Sequence, residues 1–442
     1  MEQQQLKRLL GRGFSIAACI GVIIGLGILR TPGEIARSVQ DPWVYMALWL
    51  GGGLFVLMSV LVVAELISIT PRSGGPYAMI ANAYGPYPGF LIGWTDWLSL
   101  CASSALKAVV LMEYAALLLP ELKPFLVAGA LAISSLFALI QLGGLRLGGA
   151  IHQFAAAVFA LILLSVTVAL LLGRGGAGSE PVISGAAGGW AGYGIVAAAI
   201  VFTYDGWVSA SYFSAEIEGG GRAAAIGSIK AVLIVIALYL LLNGALVFSV
   251  PLAALDGHDF ALAGALEYLF GAGAGTFIVL AALFILLAHQ NIHYMTASRA
   301  LYALSVDDLG SRQATRVSKR GTPTGAVVFT WLMMVALILA GGFEFLLNMA
   351  AVLFIGMYLA LMVGVLRLRR IRPALERPFR AWGYPFIPWL CILGWAGIAA
   401  FVGLMDPQSL LCSLLLVALS VPAYLWLRSR RGGQPLQKPL SP

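Results

Sequence analysis

The sequence predicts an all-α membrane protein of about twelve transmembrane helices. Three observations carry this. Only 10% of the 442 residues are charged and 60% are hydrophobic, against about 25% charged in a soluble domain; polar groups this scarce cannot cover a globular surface. Apolar runs near the ~20 residues of a bilayer-spanning helix recur from end to end, as in Trp43 to Ile69, Phe154 to Leu172 and Ile226 to Val250. The runs are continuous rather than alternating. Lipid admits only helices and closed barrels, and continuous runs fit the helix.

The spans read 13–38, 43–69, 87–118, 125–142, 150–172, 188–214, 226–250, 274–304, 324–341, 344–366, 384–404 and 408–427. The stretch Met1 to Arg12 is polar and basic and lacks the cleavage site of a signal peptide, so no cleaved leader is expected. With the N-terminus inside, 22 of the 27 Lys and Arg fall on the inner side. Arg30, Arg37, Lys123 and Arg174 fall outside, and Lys107 lies within a span. This asymmetry is the positive-inside pattern and puts both termini in the cytoplasm. The net charge of +8 is therefore a topology signal rather than a nucleic-acid surface. Cys19, Cys101, Cys391 and Cys412 all lie in spans, which argues against a disulfide framework or a zinc site.

A soluble domain needs at least about 50 residues. The longest loops, Gly173 to Ala187, Pro251 to Glu267, Asp307 to Pro323 and Arg367 to Gly383, are far shorter. Function is therefore expected within the bundle. The chain reads as one transmembrane domain: a first five-helix repeat over 13–172, a second over 188–366, two added helices over 384–427 and a cytoplasmic tail over 428–442.

Two spans look broken. The first contains Gly21, Gly25 and Gly27 and runs on into Arg30-Thr31-Pro32-Gly33; each Gly weakens a helix by about 1 kcal/mol relative to Ala. Five spans later, Phe202-Thr203-Tyr204-Asp205-Gly206-Trp207 places an acid and a glycine mid-span. Interrupted helices at corresponding places in two halves point to a secondary transporter built from inverted repeats. A half-helix after a break offers free N–H groups and its positive dipole end to a carboxylate, and the half before it offers carbonyls to an ammonium. Gly21 and Gly25 also have the spacing of a close helix–helix contact, so the glycines alone allow either reading.

At these residues the sequence resembles the amino acid–polyamine–organocation (APC) superfamily, in its amino acid transporter branch. Gly21 to Ile28 resembles G-x-I-I-G-x-G-I, and Phe202 to Trp207 resembles F-x-Y-x-G-W followed by a Glu, here Glu216. Pro71 to Tyr77 resembles P-x-S-G-G-x-Y, continued by Tyr84-Gly85, Gly89-Phe90 and Gly93-Trp94. Ser298 to Leu304 resembles S-R-x-x-Y-x-x, with Thr322-Pro323 closing the loop, and Arg377 to Pro385 resembles the motif before span eleven. The five occur in order over nearly the whole chain.

The resemblance implies a five-plus-five LeuT-type fold working by alternating access. By position, Ile23, Ile24, Gly25, Leu26 and Gly27 would bind a substrate carboxylate through backbone N–H groups. Phe202, Thr203 and Tyr204 would offer carbonyls to its amino group, and Trp207 would pack over it. The chain also departs from the pattern. Leu26 stands where many relatives have a hydroxyl, and Asp205 where many have a small residue. Span five has no lysine, although much of the branch carries one there bridging to span one. Glu218 to Arg222 lacks the usual prolines.

Ionisable residues inside a membrane are costly and are functional candidates. Glu65, Lys107, Glu113 and Asp205 stand out. Glu113 lies six residues after Lys107, about 240° round the helix, and so faces elsewhere. Lys107 is expected to stand in for the missing span-five lysine, paired with Asp205 or set near the first break; a structural ion pair or a snorkelling side chain is the plain alternative. Lys107, Asp205 and Glu113 are thus the candidates for proton coupling. Asp205 could equally read a cationic substrate or act as a gate acceptor. His289 and His293 share a helix face, but a metal would need a third ligand, and with Gln290 and Asn291 they read as cavity-lining or packing groups. No metal, cofactor or nucleophile–base set is seen, which disfavours an enzyme.

The expected function is a secondary transporter of amino acids, as an exchanger or a proton-linked symporter, in a bacterial inner membrane. Its expected partners are a small amino acid or amine and membrane lipid, with no nucleic acid; the sequence says nothing of oligomeric state. The alternatives are a polyamine or organic-cation carrier and a non-transporting amino acid sensor. A sensor would normally add an output domain, and 15 residues follow Leu427.

Overall fold

Proline opens several of the helices, because its missing N–H costs nothing in a first helical turn. Pro42 begins one whose Asp41 cap accepts from the Trp43 and Val44 amides at 2.7 and 3.1 Å. Pro76, Pro86 and Pro407 begin three more. A computed structural model describes residues 6–39, 41–173, 190–255, 260–271, 273–341 and 343–429. Arg174, the rest of its loop, and the tail from residue 430, including Arg430, Arg431 and Lys438, lie outside the described residues.

Fifteen α-helices follow in order: α1 Gly13–Ile23, α2 Leu26–Ser38, α3 Pro42–Ile69, α4 Pro76–Tyr84, α5 Pro86–Leu118, α6 Leu126–Leu142, α7 Leu145–Leu172, α8 Trp190–Thr203, α9 Gly220–Ser249, α10 Ala261–Phe270, α11 Thr276–Val306, α12 Thr324–Ala340, α13 Phe343–Ile371, α14 Phe386–Met405 and α15 Pro407–Ser429. Among the described residues nine helices are long and apolar enough to cross a bilayer, and α1 with α2 makes a tenth as one bent span. The 17-residue α12 and the short α8 complete twelve. The protein is an integral membrane protein.

Two departures matter. The loops predicted after spans two and seven contain the short helices α4 and α10. Span six is not helical through 214: α8 ends at Thr203, the chain is unwound to Val208, and only a 3-10 turn over Ser209–Phe213 follows.

The helices are layered by burial. In the most apolar window of α3, 67% of residues are buried, against 11% in α15, so the two last helices are peripheral. Leu161, Phe154, Leu393 and Leu414 on outer faces are all more than half exposed, as lipid contact requires. α3 packs on α9, α5 on α11, α6 on α12, and α2 on α8.

Buried ion pairs lock one end of the bundle. Glu65 on α3, singled out above as an intramembrane acid, accepts from Arg369 Nη2 at 2.5 Å, Arg377 Nε at 2.9 Å and the Ala381 amide at 2.8 Å. It is structural, and it explains the Arg377 to Pro385 motif. Glu216 holds Arg299 through two parallel bonds of 2.7 and 3.0 Å. The Glu216 carbonyl accepts from the Leu9 and Leu10 amides, so the N-terminal segment hangs on the same residue. Arg72 and Tyr77 both donate to Asp307, at 2.6 and 2.5 Å.

Candidate substrate site

The site begins with the first-span break. α1 ends at Ile23, Ile24 and Gly25 are extended, and α2 starts at Leu26 with no side-chain cap. The halves meet at 43°. Opposite this break lies the unwound stretch after α8. Gly206, at φ +118°, lies against the Val22 side chain and the Ile23 backbone nitrogen. An added Cβ there would come within 2.7 Å of Val22 Cγ1 and 3.0 Å of the Ile23 nitrogen. Glycine is thus needed twice, for its conformation and for the close approach. A Gly206→Ala variant should lose about 1–3 kcal/mol, read as a lower thermal midpoint and as loss of stabilisation by substrate; an unchanged midpoint would contradict this packing.

Tyr239 on α9 joins the two breaks. Its hydroxyl reaches the Ile23 carbonyl at 3.0 Å and the Thr203 carbonyl at 3.4 Å. Thr203 Oγ1 donates to the Ala199 carbonyl, which leaves it to accept from Thr31 Oγ1 at 2.9 Å and ties α8 to α2. Tyr239 and Thr31 were not anticipated; a tyrosine in an apolar span carries no distinguishing signal in sequence.

Between the breaks lies a cavity of about 290 Å³, at the small end of the ~300–1,000 Å³ usual for ligand pockets. Of the expected residues, Ile23, Gly25, Gly27, Phe202, Thr203 and Asp205 line it, and Lys107 reaches it from α5. Ile24 is buried in the core, and Leu26 opens α2, its side chain lying outside the described positions. Tyr204 turns away into a cluster with Trp49 and Tyr239. Trp207 does not line the cavity: it is buried and stacks on Tyr358 at 5.0 Å, and Tyr358 supplies the aromatic surface instead.

Asp205 accepts from the Tyr358 hydroxyl. It forms no ion pair with Lys107, which instead lies 3.1 Å from His293 Nε2. Both groups face the cavity, so of the two placements expected for Lys107, direct pairing with Asp205 is not the one observed. Glu113, the third coupling candidate, is exposed and lies away from the cavity. Asp96 lies behind the wall, accepting twice from Tyr212 at 2.8 Å.

His293 Nδ1 lies 2.8 Å from the His289 carbonyl, which can only accept, so Nδ1 carries a proton. Nε2 then faces Lys107. Two cations 3.1 Å apart repel strongly, so the pair holds at most one positive charge between two nitrogens. Gln290 and Asn291 are packing groups: Gln290 bonds Ser104, and Asn291 bonds Gln141 and the Gly148 carbonyl. His289 lines the cavity beside Gly25. The Gly21 backbone lies near its ring, though among the described residues neither ring nitrogen has a partner at good hydrogen-bond geometry.

Span five does reach span one, but through His152, whose Nε2 donates to the Ala17 carbonyl at 3.0 Å. A lone histidine in an apolar run gives no periodic signal, so the sequence alone does not point to it.

Two broken helices meeting at an amphoteric cavity, inside a bundle clad in lipid-facing apolar residues, define a helical membrane transporter rather than an enzyme. The chain belongs to the amino acid permease family, which it matches over residues 14–423. It is 27% identical over 412 residues to the b(0,+)-type amino acid transporter 1 of Mus musculus, covering 89% of this chain and 82% of that protein. It is 24% identical over 448 residues to the serine/threonine exchanger SteT of Bacillus subtilis (strain 168), covering 97% and 99%. To the gamma-aminobutyric acid permease of the same bacterium it is 25% identical over 471 residues, covering 97% and 95%.

Proposed function

We propose that the protein carries amino acids across the membrane by alternating access, with the substrate held between the two broken spans. The observation that carries this is the polarity of the cavity. The start of α2 turns uncapped N–H groups and a positive dipole end toward it, and this end takes the carboxylate. The carbonyl ends of α1 and α8, with Asp205, take the ammonium. A zwitterion satisfies both.

The same polarity favours amino acids over polyamines. Among the described residues Asp205 is the one carboxylate lining the cavity, and Lys107 stands in it as well; a dication would meet one acid and one cation. The names of the relatives, an amino acid transporter, a serine/threonine exchanger and a gamma-aminobutyric acid permease, agree with this reading. Each of spans one to four packs on the span five further along, which supports two repeats, 13–172 and 188–366, related by an axis through the cavity. Lys107 with His293 is the proposed coupling site, since two nitrogens sharing one charge can take up and release a proton as the cavity opens to either side. The proposed location is a bacterial inner membrane, and the distribution of Lys and Arg supports cytoplasmic termini.

Binding to purified protein tests the assignment. Thermal stabilisation is measured with a panel of amino acids, their decarboxylated amines and their methyl esters. An amino acid that stabilises while its amine and ester do not is the expected result. Stabilisation by polyamines and by no amino acid would overturn it.

A further inference from the structure

A second cavity, of about 530 Å³, lies between α1 and α9 at the basic end of the bundle, away from the substrate cavity. Arg12, Arg222 and Lys230 line it, with Ile16 and Ile226; among the described residues no acid lines it. Arg72, Arg299, Arg369 and Arg377 each hold an acid. The three cations of this groove make no ion pair among the described residues. The groove also receives two helix starts without side-chain caps and without an acid in the first turn, those of α1 and α9. Both aim partial positive charge at the same space.

The chemistry continues beyond the groove. Arg222, Ile226 and Lys230 follow at i, i+4 and i+8 on one face of α9. The same face runs on into Leu233 and Ile234, which are 49% and 40% exposed. A cationic mouth leading into an apolar, outward-facing stripe has the polarity of a phospholipid, head to tail. We propose that this groove binds the phosphate headgroup of an anionic phospholipid from the adjoining leaflet, its acyl chain lying along α9.

The site has a mechanical consequence. Gly227 of α9 lies against Ser15 of α1, so the two helices touch beside the groove, and α1 is one half of the first broken span. A phosphate held by Arg12 on one helix and by Arg222 and Lys230 on the other ties that half to α9 and so biases its movement.

The test does not depend on what is transported. The thermal midpoint of the purified chain in neutral detergent is followed as phosphatidylglycerol, phosphatidylcholine or inorganic phosphate is added, since a ligand that binds only the folded state raises the midpoint. Phosphatidylglycerol should raise it by several degrees more than phosphatidylcholine, and the difference should shrink with salt. The variant Arg12→Gln, Arg222→Gln, Lys230→Gln should keep the lipid-free midpoint, since these side chains make no ion pair among the described residues, and lose the difference. Arg12→Lys with Arg222→Lys, which keeps the charge, should retain most of it. An equal response of wild type and the glutamine variant would overturn the proposal. An equal shift with inorganic phosphate alone would overturn the lipid in favour of a soluble anion.

Discussion

Arg299→Met is expected to destabilise the protein by about 3–5 kcal/mol, the range for removing one partner of a buried pair. Both side chains are sealed, 1% and 0% exposed, and the methionine would leave the Glu216 carboxylate buried without its counter-charge. Arg299→Lys should recover little of the loss, because an ammonium cannot make the two parallel bonds of the guanidinium and would leave the face of Phe213, over which Arg299 sits at 4.9 Å. Glu216→Gln combined with Arg299→Met should be less destabilising than Arg299→Met alone, because no buried charge is then left unpaired. Thermal unfolding in detergent reads all three. Limited proteolysis adds a second readout: the Leu9 and Leu10 amides hang on the Glu216 carbonyl, so the N-terminal segment should be cut faster in Arg299→Met. An unchanged midpoint would mean that the pair is not buried as described.

Lys107→Met should remove the response of transport to a pH gradient while leaving amino acid binding within several-fold of wild type. Methionine keeps the length and apolar character of the lysine stem but can neither take nor release a proton. His293→Gln should have the same effect for a different reason: it keeps a polar partner beside Lys107 but removes the second base with which Lys107 shares its charge at 3.1 Å. Lys107→Arg is the sharper variant. A guanidinium stays protonated, so it should keep the charge and lose the coupling. Transport that remains equally pH-dependent in Lys107→Met would remove Lys107 from the mechanism and return the question to Asp205.

Helices were the most legible feature of the sequence. The span read as 43–69 is the helix Pro42–Ile69, and that read as 87–118 is Pro86–Leu118, because long apolar runs with proline or aspartate at their starts leave little choice of end. The short α4 and α10 were not legible: helices of 9 and 10 residues take their stability from the bundle they pack on rather than from their own sequence. The break in span one was readable from three glycines. The loss of helix after Thr203 was only half readable, since one glycine and one acid mark where a helix weakens but not that it fails to resume.

The candidate site divides along the same line. Residues proposed to act through the backbone, such as Gly25 and Thr203, could be placed by the break itself. Side-chain partners could not. Lys107 lies closest to His293 rather than to Asp205, and Glu65 is neutralised by two arginines more than 300 residues away. Trp207 turned out to lie behind Tyr358, because an aromatic in a motif reports its register but not which face the unwound chain presents. Contacts between distant spans are set by packing angles that no single span encodes.

Uptake by the purified protein in proteoliposomes tests the central claim most directly. Labelled amino acids and polyamines are offered with and without internal counter-substrate, and with and without an inward proton gradient. The account predicts saturable uptake of at least one amino acid, competed by others that retain both carboxylate and ammonium, and lost in Gly206→Ala. Dependence on counter-substrate would mark an exchanger, and dependence on the gradient a proton-linked symporter. Saturable uptake of polyamines with no amino acid, or no uptake by protein shown to be folded, would contradict the account.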